Sequence, residues 1–295
     1  MRTKMMAALA AGVVTLGLAA GLAPSASGAP APARKAKPYV VTLKTLPAKA
    51  QVGQRLALAG QVSGPDSARK PVVIQRRQGA GGWVTAARTR TTRRGTFSVR
   101  VPLVTGGTTS FRAVKARSTK RSQGASAVRS LAVYQWLDMV DQPAFAMGMM
   151  TVGNDIRMGG RTFPDSLASQ FSTAIYMVPS SGLCTAMEAS TGFLDRELPN
   201  LGTGAKQSLD MQSGPLTGPS QTAEFETGPG PVQRRVVDIT GSAIAFLRFS
   251  AVAGEDASGP VTAVVGTPRV LCNAAKLPSV PDELQVGARR AFGVS

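Results

Sequence analysis

From residue 39 onward, apolar and polar residues alternate in short runs. Tyr39-Val40-Val41-Thr42-Leu43 alternates, and residues 56–62 alternate again. A period of two marks a strand with one buried face. Further runs at 72–75, 83–84, 96–101 and 110–114 follow the same rule. Gly53, Ser63-Gly64-Pro65-Asp66, Gly79 to Gly82, Gly95 and Gly106-Gly107 punctuate them. Strands spaced by about ten residues with turn signals between them predict a seven-strand β-sandwich. It is expected to span residues 39–133.

The pattern then changes register. Tyr134-Gln135-Trp136-Leu137 opens a second all-β unit over 134–275. Gly159-Gly160 predicts a hairpin turn, and Phe163-Pro164-Asp165-Ser166 ends that hairpin. Strands are expected at 174–178, 184–190, 208–212, 221–227, 235–239 and 243–249. Residues 261–265 and 269–272 are expected as the strands that close the fold. Long 3.6-residue periodicity is lacking, so this half is expected to be an antiparallel jelly roll.

Outside these units, Arg2 and Lys4 precede an apolar, Ala/Gly-rich stretch and a small-residue segment, Ser25 to Ala29. This is the layout of a cleaved secretory signal, residues 1–29. A Pro/Ala/Lys linker, 30–38, and a tail, 276–295, complete the division. The protein is therefore expected to be secreted and cell-wall associated, with no membrane span after cleavage.

Composition narrows the chemistry. The chain has 295 residues and no histidine. That removes the common general base, the Ser-His and Cys-His nucleophile pairs, and imidazole metal ligands. Two cysteines cannot form a four-thiolate zinc site. No phosphate loop or EF-hand pattern occurs. A non-enzymatic protein without cofactor is expected. Cys184 and Cys272 both sit in apolar, strand-like runs and enclose 87 residues. In an exported chain they are expected to form a disulfide.

Charge is divided unevenly. Residues 34–129 hold 21 Lys and Arg against one acid, Asp66, whereas residues 134–295 are net −4. The candidate polyanion-binding residues are Arg76, Arg77, Arg88, Arg90, Arg93, Arg94, Arg112, Lys115, Arg117, Lys120 and Arg121. A surface of this kind attracts anionic polymers such as teichoic acid, acidic glycans, phospholipid head groups or extracellular DNA. No helix-turn-helix, zinc finger or stacking platform is visible, so specific nucleic-acid recognition is not expected. The alternative is a solvated surface with no dedicated partner. Trp83 is read as a packing residue.

Two resemblances add to this. The first half, with V-G-x-x-L-x-L-x-G, P-V-x-I-Q-R-R, G-G-W, G-x-F-S-V and F-R-A, resembles Ig-like domains of secreted bacterial proteins. The second carries I-R-M-G-G-R-T-F-P-D-S-L, A-I-Y-M-V-P, C-T-A-M-E-A-S-T-G-F-L-D, V-D-I-T-G-S-A-I-A-F-L and V-V-G-T-P-R-V-L-C in that order. It is similar to the novel putative carbohydrate-binding module family. That resemblance implies a galactose-binding-like jelly roll and a glycan ligand. Ser166-Leu167-Ala168-Ser169 stands where the family carries a histidine motif, and Gln212-Ser213-Gly214 where it carries an acidic turn.

The candidate ligand residues are Trp136 and Tyr176, as faces for a sugar ring, and Asp138 and Asp195, as acids that bind sugar hydroxyls or calcium. Tyr134 and Phe145 are further aromatics of the same kind, and Asp141 a further acid. Two functions remain open. One is glycan or cell-wall binding. The other is a structural or protein-interaction module, or an accessory or inhibitor of an extracellular enzyme.

Overall fold

The computed structural model describes residues 36–170, 173–215 and 219–282. The expected signal, most of the linker and the end of the tail lie outside them. The described residues form β-strands joined by turns, as alternation predicts.

The first half contains β1 (Val40–Leu43), β2 (Lys49–Gln51), β3 (Arg55–Ser63), β4 (Pro71–Gln78), β5 (Val84–Arg90), β6 (Thr96–Pro102), β7 (Gly107–Lys115), β8 (Gly124–Ala125) and β9 (Arg129–Asp138). One sheet has the order β1-β3-β6. The other has the order β9-β7-β4-β5, with β8 beside β7 and β2 parallel to β9. Leu56, Leu58, Val62, Phe97 and Val101 from the first sheet meet Val72, Ile74, Phe111, Leu131 and Val133 from the second. These are the alternate positions of each run, so burial follows the period of two.

Gly60 on β3 shows how tightly its sheet neighbours β1 and β6 close over it. A Cβ there would collide with the Thr42 carbonyl oxygen and lie 2.5 Å from the Phe97 ring. Phe97 fills the space that a side chain would need. Gly60→Ala should destabilise the protein by about 1–3 kcal/mol through overpacking. Chemical denaturation measures it, and unchanged stability would show that both the β1 backbone at Thr42 and the Phe97 ring are free to move aside.

The second half contains β10 (Phe145–Met147), β11 (Thr151–Gly153), β12 (Ile156–Met158), β13 (Arg161–Phe163), β14 (Ser166–Ser169), β15 (Ala174–Pro179), β16 (Cys184–Thr191), β17 (Lys206–Gly214), β18 (Gln221–Thr227), β19 (Gln233–Asp238), β20 (Ile244–Val252) and β21 (Ala263–Cys272). β10-β15-β20-β17-β18 form one sheet, and β11, β14, β21, β16 and β19 form the facing one. The hairpin β12–β13 turns at Gly159-Gly160, as expected. Leu167, Met187, Leu209, Met211, Leu247, Phe249 and Val270 fill the core.

One expectation is corrected here. The two closing strands are a single strand, β21. Glu188 pairs with Arg269 but Ser190 pairs with Gly266, so β21 carries one extra residue against β16. Gly266-Thr267-Pro268 is a β-bulge, with Thr267 at φ 42°. A proline has no ladder N–H to lose at a bulge. The disulfide is formed: Cys184 and Cys272 are register partners on β16 and β21, with S–S 2.01 Å.

β9 joins the two sandwiches. Residues 129–133 pair with β7, and residues 135–138 of the same strand pair with β21. The expected boundary at 133/134 therefore falls inside a continuous strand. Gln135 fastens the join further. Its Oε1 accepts from the Gly106 N–H at 2.8 Å, and its Nε2 donates to the Ala275 carbonyl at 3.1 Å.

Candidate functional site

The basic residues are arranged by strand direction. β7 runs from the junction at Gly107 to Lys115, about 27 Å for nine residues. Beyond its far end three loops gather. The Arg69 N–H donates to the Thr92 carbonyl, and the Thr91 N–H donates to the Lys70 carbonyl. The Arg121 guanidinium donates to the Pro38 carbonyl at 3.2 Å and lies beside Gly64. This rim, opposite the second sandwich, holds Arg69, Lys70, Arg93, Arg94, Arg117, Lys120 and Arg121.

The rim continues onto the outer face of the large sheet. Thr89 Oγ1 donates to the Ser98 carbonyl of the other layer, so Arg88 and Arg90, on either side of it, point outward. Arg77 and Arg112 lie on the same outer face and contact Trp83. Trp83 is therefore not a core residue. Arg76 alternates to the other face of β4. Asp66, the acid of this half, is exposed within the rim.

Among the described residues the ion pairs are Lys206–Glu226, Arg234–Glu188, Arg248–Asp210 and Arg269–Glu188. All four lie in the second half. Among the described residues no cation of the first half is ion-paired with a carboxylate.

Lys115 leaves the candidate surface. It is 4% exposed, its ammonium donates to the Ala116 carbonyl at 3.0 Å, and it stands over the Tyr39 ring. Its position on β7 turns it inward, which an isolated sequence run does not reveal.

The ligand candidates of the second half do not converge. Tyr176 is 6% exposed within the core, and its hydroxyl donates to the Met139 carbonyl. Burial, then the nearby Asp141, raises its pKa. Its ring is not available to a sugar. The Asp195 carboxylate accepts from the Gly160 N–H at 3.1 Å, holding the β12–β13 turn. The same residue lines a cleft of about 460 Å³ with Asp155, Arg157 and Arg196. Asp138 ends β9, and burial, then Asp165 and Asp141, raise its pKa against the opposing pull of Arg269.

Trp136 remains half-exposed on β9, with the Arg269 guanidinium 4.7 Å from its ring centre. It lines a cleft of about 270 Å³ at the junction with Gln51, Val52, Tyr134, Gln135 and Leu271. A neighbouring cleft of about 370 Å³ shares Gln51, Tyr134 and Leu271 and adds Lys49, Asp238 and Thr240. Sequence reasoning missed these partners because they come from β2, β19 and β21. A separate, more apolar groove of about 580 Å³ runs past Met149, Met150, Ile156, Leu194 and Arg196. Among the described residues no group of acids or cysteines is placed to hold a metal ion, and no helix is long and apolar enough to cross a membrane.

Arg269 also joins Trp136 to a charged ladder on the outer face of its sheet. Glu188 accepts from Arg269 at 2.9 Å and from Arg234 at 2.5 Å. Burial alone would raise the Glu188 carboxyl, but the hydrogen bonds from Arg234 and Arg269 outweigh it and hold the pKa below its ordinary 4.5. A depressed carboxylate stabilises the fold above its unfolded pKa and ceases to do so as pH falls through the folded value. Glu188→Gln should therefore melt below the wild type at pH 7. The gap should narrow below pH 4.5. A gap independent of pH would mean that the ion pairs contribute nothing.

No family model matches the chain, and no curated protein does. Among solved structures, a crystal structure of tripeptidyl peptidase 2 aligns with 79% of this chain and 20% of its own, at 11% identity and a TM-score of 0.24. The chain thus spans about a fifth of that structure's length.

Proposed function

We propose that this is a secreted, non-catalytic glycan- or cell-wall-binding protein whose first sandwich engages anionic polymer. The observation that carries this reading is the set of cations on the distal rim and adjoining sheet face without carboxylate partners among the described residues. Like charges gathered on one folded surface repel, and an anionic partner relieves that repulsion. Loops from three parts of the first half build the rim, so a partner is met by a fixed surface and not by a flexible tail. The likeness of the second half to carbohydrate-binding modules supports a glycan context for the same partner. Trp136 and Tyr134 in the junction clefts are the aromatic groups that would serve a sugar there.

The test is sedimentation of the full chain with purified cell-wall polymer. Neutralising Arg93, Arg94, Arg117 and Lys120 together should weaken binding by about 100-fold at low salt, since each polymer charge that is no longer neutralised keeps its condensed counterions. Arg157→Ala with Arg161→Ala, on the exposed hairpin of the acidic half, should change it little. Equal effects from both variants would reject the rim as the binding surface.

A further inference from the structure

Trp83 holds two cations on one ring. Its indole follows the turn Gly79 to Gly82 and lies on the outer face of the large sheet, with the Arg77 guanidinium 4.9 Å and the Arg112 guanidinium 4.3 Å from the ring centre. Arg77 pairs with Ser110 across the ladder and Arg112 with Gln75, so the two arginines are diagonal neighbours on β4 and β7. Arg112 Nε donates to Gln75 Oε1 at 2.7 Å. Arg77 Nε is shielded from solvent and has no acceptor.

Two neighbouring cations without a carboxylate form an unbalanced arrangement. The indole offsets part of the repulsion through its π-face. A π-face attracts the cations but accepts few of their N–H bonds. N–H groups that the ring does not engage are left for an oxyanion. A carboxylate presents both oxygens in one plane and suits one guanidinium fork. A tetrahedral oxyanion presents oxygens in several directions, and two forks that are not coplanar can share it.

We propose that Arg77, Trp83 and Arg112 form a subsite for a tetrahedral oxyanion, phosphate or sulfate ester, carried on the anionic polymer. The subsite rests on the polyanion reading above and gives it selectivity. The rim supplies charge-driven attraction to any polyanion, and the arginine pair discriminates among them. Trp83 acts as a positioning residue.

The experiment measures binding of the full chain to poly(glycerol phosphate), dextran sulfate and polygalacturonate, matched in length and charge density at one ionic strength. The wild type should prefer at least one tetrahedral-oxyanion polymer over polygalacturonate by about fivefold or more, the scale of one charge-assisted hydrogen bond. Preference for the phosphate or the sulfate polymer identifies which ester the subsite takes. Arg77→Lys with Arg112→Lys keeps the charge but removes the forks. It should abolish the preference while leaving the salt dependence of binding intact. Trp83→Leu should reduce the preference in the same way. Both changes lie outside the sandwich cores, so the fold should persist. Equal binding of wild type to all three polymers, or a preference retained by the double lysine variant, overturns the subsite and leaves the rim standing. Failure to bind any of them overturns both.

Discussion

Binding of the full chain to an anionic polymer should fall by three or more orders of magnitude between about 50 mM and 500 mM salt. Each neutralised phosphate releases condensed counterions, so log affinity falls linearly with log salt, with a slope set by the number of phosphates engaged. The rim and outer face offer Arg69, Lys70, Arg88, Arg90, Arg93, Arg94, Arg117, Lys120 and Arg121. Engagement of only four or five of these is enough for the stated loss. At 500 mM the Debye length is only about 4 Å, so charges act at contact distance alone. The measurement is a salt titration by fluorescence anisotropy on labelled polymer. A slope near zero would make the charge a solubilising surface. The full chain is the right material. A cut after residue 133 would divide β9, removing Tyr134, whose carbonyl accepts from the Val52 N–H, and would leave β2 without the end of its partner strand.

The second large effect concerns the disulfide. Cys184 and Cys272 close a loop that contains β17, β18, β19 and β20, with a sequence separation of 88. In the chain-entropy account a loop of that length stabilises the native state by about 4–5 kcal/mol, through the freedom it removes from the unfolded chain. Both sulfurs are fully buried in the core of the second sandwich. Replacing both cysteines with serine also places two hydroxyls among apolar groups. Cys184→Ala with Cys272→Ala isolates the cross-link and should lower the melting temperature by about 10 °C or more for a domain of this size. Calorimetry of the variant, with peptide mapping of the unreduced wild type, measures it. An unchanged melting temperature would show that β16–β21 pairing alone holds the two strand ends.

Alternation made the long strands legible. Gln221–Thr227 coincides with its expected run, and β3, β6, β15 and β17 fall within a few residues of theirs. β3 and β6 bury one face, and a one-residue slip would turn that face to water. Four short strands were not legible. β2, β8, β10 and β11 have two or three residues each, too few to show a period. Their positions depend on the neighbour they pair with. The chemistry of the two cysteines and the uneven charge were also carried by the residues themselves.

Tertiary structure alone decided the rest. Gly266-Thr267-Pro268 has turn residues, yet pairing on both sides of β21 holds it as a bulge within one strand. β9 reads as the end of one unit and the start of another, and only its two sets of ladder partners show one strand serving both. Lys115 and Tyr176 carry groups suited to a surface but face inward, because strand direction and sheet order set their orientation. Trp83 has the composition of a core residue but lies outside, because its turn folds it back over Arg77 and Arg112. The sequence determined how much charge the first half carries and which runs form strands. Which cations stand together, and which lack an acid, depended on loops far apart in the chain meeting at one end of a sandwich. Local alternation encodes the face of a strand but not its neighbours.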